Sequence, residues 1–469
     1  MARRVSFAFL CWLALLLLAG VVGLPSARSQ TLATLLTNGP TDRRINLVIM
    51  SEGYKTNKFG QFRTDATNLV NQLLGAAPFN QYRSCFNAFT IAVASNENGS
   101  DHPSQGTYVD TYFNTSYDSY GKPEFINLPP DEWDPDPAHG IGRVTALLNS
   151  LMPDGGVPIL LVNDLNYGGS GGGVLICSRA PGSDTLVTHE MGHTLAGLGD
   201  EYDAAFPGYP DTEEPNTTRV TNLAQIKWNV WITPGTQIPT SPTGPQADRL
   251  GLFEGAHYHA TGWYRPRLNC RMLYQTEPFP FCEVCQEALV LSFYRKVRPL
   301  QSWSPTATNL LSTTPQTLTF TVSTLPPSAG VPVTLWWLDN TAVPSATQTV
   351  FQVSSGALSN GLHQVRAEVR DATTLVRTDP GQLLRQSQIW QLQVSLTNLR
   401  LAIARPTSQT NVSVVVSGSA VHGIVLEAST NLPAWQSVAT NAFTQGRFEF
   451  VEPSPNPLPR RYYRARALP

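Results

Sequence analysis

Charge is scarce in this chain. Asp, Glu, Lys and Arg together make up 14% of its 469 residues, and the formal balance is −2, so no basic field exists to draw a nucleic acid. Cysteine is scarcer still, with six residues, and there are eight histidines. Beyond the N-terminus no run is apolar for long enough to cross a bilayer. No repeat of solenoid period is present. The Gly-rich stretch "NYGGSGGG" at residues 166–173 lacks the Lys-Ser/Thr of a phosphate loop and reads as a flexible turn. Nucleic-acid binding, a multi-span membrane protein and a repeat scaffold are thereby set aside. What remains is length for two or three domains. With 35 Gly, 37 Pro and 41% hydrophobic residues, the composition is that of a folded, loop-rich chain with much β structure.

The first 29 residues carry Arg3 and Arg4, an apolar run over 5–24, and small residues at Ala27 and Ser29. This is the pattern of an export signal cut after Ser29. Its removal takes three arginines, leaving 29 Lys+Arg against 34 Asp+Glu and a net charge of about −5. Cys11 leaves with it. The remaining Cys85, Cys177, Cys270, Cys282 and Cys285 enter an oxidising compartment, and the expected location is secreted, cell-surface or periplasmic, with no stable membrane insertion after cleavage.

Residues 30–298 alternate β-like and helical patterns. A buried strand is expected over 45–50, then a helix with Phe59, Phe62, Ala66, Leu69, Val70 and Leu73 on one face, a strand in "FNAFTIAVAS", a helix in "GIGRVTALLNSLM", and strands in "VPILLVND" and "GGVLICSR". The expected class is α/β (α+β). After Pro299 the composition turns to Ser, Thr, Val and Pro with alternating runs, which predicts an immunoglobulin-like sandwich over 301–396 and a small β domain over 397–469. Trp336 and Trp337 are adjacent in one strand and so point to opposite faces: one core, the other a contact surface or covered by a neighbour.

The chemistry concentrates in "HEMGHTLAGLGDEY", residues 189–202. Ser183 or Asp184 can cap a helix of about three turns that stops at Gly197. His189 and His193, four residues apart, then project from one face at the spacing a single Zn²⁺ bridges. Glu190 lies off that axis. Hydrolysis needs a water activated by the metal and a nearby carboxylate that is not a ligand, which is the mechanical reason for His-Glu-x-x-His. An open catalytic site needs a third protein ligand. Asp200, brought back by the glycine turn, is the best candidate, Glu201 its close competitor, and His257 and His259 the more distant ones.

The helix motif, the glycine turn with an acid after it, and Met272 and Tyr274 in "NCRMLY" resemble the metzincin clan of zinc endopeptidases. More closely, "INLVIMSEGY", "AAPFNQYRSCFNAF", "GGGVLICSRAPGSDTLVTHEMGHTLAGLGDEY", "GWYRP" and "FCEVCQEAL" are similar to the metallopeptidase family named for its immunoglobulin A peptidase, over about residues 40–298. The resemblance implies a zinc peptidase acting on protein or peptide. It implies Met272 beneath the metal and Tyr274 as a catalytic group that swings onto the zinc or stabilises the oxyanion. One departure is visible: metzincins commonly place the third ligand six residues after the second His, where this chain has Gly199, with Asp200 one later.

Other signals read more plainly. Cys282 and Cys285 form a Cys-x-x-Cys at a helix start, best read as part of a structural disulfide, with Cys270 or Cys177 as partner; a Cys-rich second zinc site would need four ligands with paired spacing, which the chain does not offer. The acidic "DEWDPDP" at 131–137 is a surface loop and not a Ca²⁺ site, because prolines break its spacing. The strand "GVLICSR" is expected beside the cleft, as an edge on which an extended substrate adds itself. The expected function is zinc-dependent peptide-bond hydrolysis. The rival is a catalytically silent surface-binding protein whose β domains carry the function, followed by an amidase or deacetylase using the same metal chemistry.

Overall fold

The computed structural model describes residues 30–274, 279–325, 332–346, 348–404, 411–420, 422–453 and 460–468. The expected signal at 1–29 lies outside them. Among the described residues no helix is long and apolar enough to cross a membrane. The chain divides into two compact units: Met1–Ala76 with Phe86–Thr194 and Tyr274–Phe279, and Ala77–Cys85 with Leu195–Leu273 and Pro280–Pro469.

The first unit is built on one mixed sheet of six strands: β1 Leu32–Leu36, β2 Ile45–Glu52, β3 Phe86–Ile91, β4 Val157–Val162, β5 Gly169–Ser170 and β6 Leu175–Ser178, in the order β1-β3-β2-β4-β6-β5. The four inner strands β3, β2, β4 and β6 run parallel, and β1 and β5 close the edges antiparallel. Parallel strands are covered on both faces, and every residue of β2 is buried. This explains why "INLVIMSE" reads as an unbroken apolar run with no alternation.

Helix α1, Phe59–Leu73, buries Phe62, Ala66, Leu69, Val70 and Leu73, as the 3.6-residue spacing predicts, while Phe59 at its first turn is half-exposed. Helix α2, Ile141–Leu151, buries Val144 and Leu147 in a core with Val48, Met50, Leu160, Val162 and Ile176. Strand β6 is not the open edge expected of it. Gly169 and Ser170 pair with Cys177 and Ile176, and β5 is itself bridged by Phe125 at Gly169. The two-residue strand was hidden inside a glycine run that carries no periodicity.

In the second unit a hairpin, β7 Phe253–Ala256 and β8 His259–Arg265, precedes helix α4, Glu283–Lys296. Helix α3, Ser183–Ala196, belongs to the first unit up to Thr194. Residues 300–394 form a two-sheet β sandwich. Five strands, in the order Asn309–Ser312, Arg385–Val394, Gly361–Arg370, Val333–Leu338, Thr341–Ala342, face three others, Val350–Ser354, Thr317–Thr324 and Leu300–Ser304. The strand Gly361–Arg370 alternates buried and half-exposed residues with period two, the signature of one face on a core. That core stacks Trp336 against Trp390 at 6.0 Å. Trp337 points the other way, and the Arg366 guanidinium of the neighbouring strand lies over it at 3.8 Å. A cation on an indole face thus covers what the sequence left as a possible contact surface.

Residues 398–467 add two three-stranded sheets around Val414, Val416, Ile424, Leu426 and Phe443. The sandwich is bonded to α4. Tyr82 and Tyr294 both donate to Asp371 Oδ2, at 2.8 and 2.7 Å, and Glu287 accepts from the backbone N–H of Arg377 and Thr378 at 2.8 and 2.7 Å.

Candidate functional site

Helix α3 is buried almost all round, with Leu186, Val187, Thr188, His189, Met191 and Gly192 all out of solvent. Its first residue is not a conventional cap: the Ser183 hydroxyl is spent on Ser178 Oγ at 2.8 Å and on the Gly168 N–H at 3.3 Å, which fastens the helix start to β6 and to the glycine turn. The helix ends at Ala196 because Gly197, at φ +62°, takes the left-handed conformation.

His189 is 1% exposed, and His193 is half-buried. Their Nε2 atoms face one another across 3.1 Å, with the rings at 76°. Two ligands of a tetrahedral zinc at roughly 2.0–2.1 Å from the ion stand about 3.3 Å apart, so the pair fits a shared ion. Glu190, also half-buried, lies against the backbone of Gly171: a Cβ at that glycine would sit 1.6 Å from Glu190 Oε2. The glycine run "NYGGSGGG" therefore gives room to the one carboxylate the chemistry needs.

The segment after the helix belongs to the second unit. Asp200 is 8% exposed, and its Oδ2 accepts from the Tyr258 hydroxyl at 2.5 Å. Its backbone carbonyl accepts from the His257 N–H at 3.0 Å, and Tyr202 O from the Tyr258 N–H at 2.8 Å. His257 and Tyr258 are both left-handed, at φ 56° and 58°, an uncommon conformation for such residues. Burial, and then the neighbouring Asp200 charge, push the Tyr258 hydroxyl well above the ordinary tyrosine range, so it stays a donor. Buried Asn216 braces the same turn. It accepts from the Gly199 N–H at 2.7 Å, donates to Gly199 O at 2.9 Å, and donates to Glu201 Oε1 at 2.9 Å. A side chain at Gly199 would meet the Glu214 carboxylate at 2.6 Å. Close packing fills the position where metzincins carry a ligand.

The remaining candidates separate cleanly. Both nitrogens of buried His257 are engaged, Nδ1 with Glu214 Oε2 at 3.0 Å and Nε2 with Pro210 O at 2.9 Å, and its ring stacks on Trp263. Exposed His259 bonds His257 O through Nδ1 at 2.6 Å. Met272 is fully buried, and its carbonyl accepts from the Glu201 N–H at 2.9 Å. Tyr274, in the first unit, is 43% exposed and stacks on Phe279 at 4.6 Å. In the loop at 131–137 the carboxylates serve the loop itself. Asp131 Oδ1 takes the N–H groups of Trp133 and Asp134, and a hydrogen bond from His139 holds Asp134 below the ordinary carboxylate range.

The expected disulfide is absent: Cys85, Cys177, Cys270, Cys282 and Cys285 are all free thiols. Cys177 sits alone on β6, raised by burial and then by the Asp184 charge. Among the described residues two groups of donor side chains could hold a metal ion: His189, His193 and Asp200, and Glu201, Cys270, Cys282 and Cys285. Sequence reading missed the second group, along with Tyr258 and Asn216.

A mixed α/β unit carrying a His-Glu-x-x-His helix, with metal-capable donor groups, describes a hydrolase of the peptidase kind. The model of the IgA Peptidase M64 family matches residues 33–246 and 242–293, more than half of the chain, and the chain belongs to that family. It is a peptidase family, so the substrate class is protein or peptide. No curated protein matches. Among solved structures, the fibronectin(III)-like modules of Clostridium thermocellum CbhA match at 7% identity and TM-score 0.16, over 32% of this chain and 77% of theirs. A Bacteroides uniformis beta-glucuronidase 3 matches at 11% identity and TM-score 0.15, over 41% of this chain and 25% of its own. Neither likeness carries a conclusion about fold.

Proposed function

We propose that the chain is an exported, metzincin-like zinc endopeptidase. His189, His193 and Asp200 are the metal ligands, Glu190 is the general base and then the general acid, and Tyr274 steadies negative charge on the scissile carbonyl oxygen. The observation that carries this reading is the pair of imidazole nitrogens 3.1 Å apart on a buried helix, with a carboxylate on the residue next to the first of them. Bound there, zinc would supply Lewis-acid polarisation and draw the ionisation of water toward neutral pH.

The chain's own residues do the rest. Glu190 takes a proton from the attacking water and returns one to the leaving amine, the two transfers that peptide hydrolysis requires. Gly171 keeps that carboxylate where it lies, since any side chain there would displace it. The Tyr258 hydroxyl holds Asp200 Oδ2 and so orients the carboxylate, the kind of outer hydrogen bond that fixes metal ligands. The exposed ring of Tyr274 leaves its hydroxyl within reach of a bound peptide.

The test joins metal analysis to a digest of an unstructured protein. Purified protein is expected to contain zinc and to cut internal bonds, and Glu190→Gln to keep the zinc and lose the cutting. Cleavage retained in Glu190→Gln, or zinc content unchanged when both His189 and His193 are replaced by Ala, overturns the reading. Products trimmed only from chain ends, or release of acetate or ammonia without chain scission, would replace the endopeptidase by another hydrolase.

A further inference from the structure

The second donor group stands apart from the chemistry above. Cys270, Cys282, Cys285 and a carboxylate oxygen of Glu201 each offer one ligand atom, and these atoms all lie within 4.8 Å of one another, with every one of the four residues buried. Sγ of Cys285 is 3.5 Å from that of Cys282, 3.7 Å from that of Cys270 and 3.8 Å from Glu201 Oε1. The S–S bond of a disulfide is about 2.05 Å, so these sulfurs are not bonded. Thiolates at about 2.3 Å from a tetrahedral zinc stand roughly 3.7–3.8 Å apart, and a carboxylate oxygen on the same ion stands about 3.5 Å from each sulfur. The edges present are those of such a tetrahedron.

A second observation points to a cation. Glu201 is 0% exposed, and its Oε2 is buried with no hydrogen-bond partner, while Oε1 takes the Asn216 amide at 2.9 Å. A buried carboxylate beside three thiols is a costly arrangement unless a positive charge neutralises it. The surroundings favour the ionised form of the cluster as well. The Cys282 N–H donates to Cys270 Sγ at 3.2 Å, and Cys282 stands at the N-terminus of α4, where the helix dipole favours negative charge. Cys282 also lines a surface pocket with Arg267, Phe281 and Glu283, which gives an ion a way in.

We infer that Glu201, Cys270, Cys282 and Cys285 form a second, structural zinc site, closed by four protein ligands and distinct from the imidazole site. Soft thiolates in a four-coordinate set select zinc over the oxygen-seeking cations, and four protein ligands leave no place for water or substrate. The ion clips three separate segments together: the turn after α3, the turn at 270–273 and the start of α4. Cys-x-x-Cys supplies one pair of ligands. The other two come from positions 12 residues and 81 residues before Cys282, which is why paired spacing missed them.

The test uses the full chain, purified without chelator. The metal content of the wild type, of His189→Ala/His193→Ala and of Cys282→Ser/Cys285→Ser is measured, with intact mass under non-reducing denaturation. The double histidine variant is expected to keep about one zinc per chain, and cobalt loaded into it to show intense sulfur-to-cobalt charge-transfer bands. The cysteine variant is expected to hold one ion fewer than the wild type. Should that variant not fold, the histidine variant and its cobalt spectrum still decide the matter. A histidine variant free of metal, cobalt bands without sulfur character, or a mass lower by two hydrogens from a Cys–Cys bond overturns the site. If the imidazole site binds nothing, wild type and histidine variant carry the same single ion. The proposed activity then fails while the thiolate site stands.

Discussion

The two donor groups differ in how they meet water. Around the helix α3 pair, His193 and Glu190 are half-exposed and a glycine stands clear of the carboxylate. Around the thiol cluster all four donors are buried, and the carboxylate oxygen left over has no partner. A metal centre that works on a substrate must keep one position open, and one that holds a fold must not. The contrast assigns the first group to chemistry and the second to architecture, on exposure and ligand count alone.

Substitutions break this contrast to different degrees. Glu190→Gln is expected to lower kcat/KM by about a thousandfold or more, with unchanged metal content and melting temperature, because it removes a proton carrier and no ligand. Tyr274→Phe comes next: a loss of roughly a hundredfold, in kcat with KM little altered, is expected if the hydroxyl acts on the developing oxyanion. An unchanged kcat removes Tyr274 from the mechanism.

Gly171→Ala pushes on Glu190 from outside the motif. A displaced base costs roughly ten- to a hundredfold in rate, with both metals retained; a variant as active as the wild type would refute the close contact. Tyr258→Phe is the mildest. It takes the hydrogen bond from Asp200 and is expected to weaken zinc at the imidazole site by about tenfold, read by competition with a chromophoric chelator, without touching the thiol cluster. The same chelator sharpens the comparison: activity is expected to vanish well before the thiolate-bound ion leaves or the melting temperature falls.

Where a property depends on near neighbours in the chain, the sequence spoke clearly. The buried run at 45–50, the face of α1 and the histidine pair at i and i+4 all follow from periodicity, and each is found where expected. Where it depends on chain returning from afar, it did not. Glu201 joins Cys282 across 81 residues, Tyr258 reaches Asp200 across 58, and the edge strand Gly169–Ser170 lies in a stretch of glycines with no pattern to read. Even the departure from the usual ligand spacing has a long-range cause, since Glu214 fills the space beside Gly199.

The bonds among Tyr82, Tyr294 and Asp371, and those from Glu287 to Arg377 and Thr378, bear on how this protein can be cut down. A chain stopped at residue 298 would uncover two phenols, an indole and a carboxylate that now have partners across that seam. Its shortened form should be sticky and hard to keep in solution, so the accessory sandwich is better regarded as the lid on the hydrolase's underside than as a passenger.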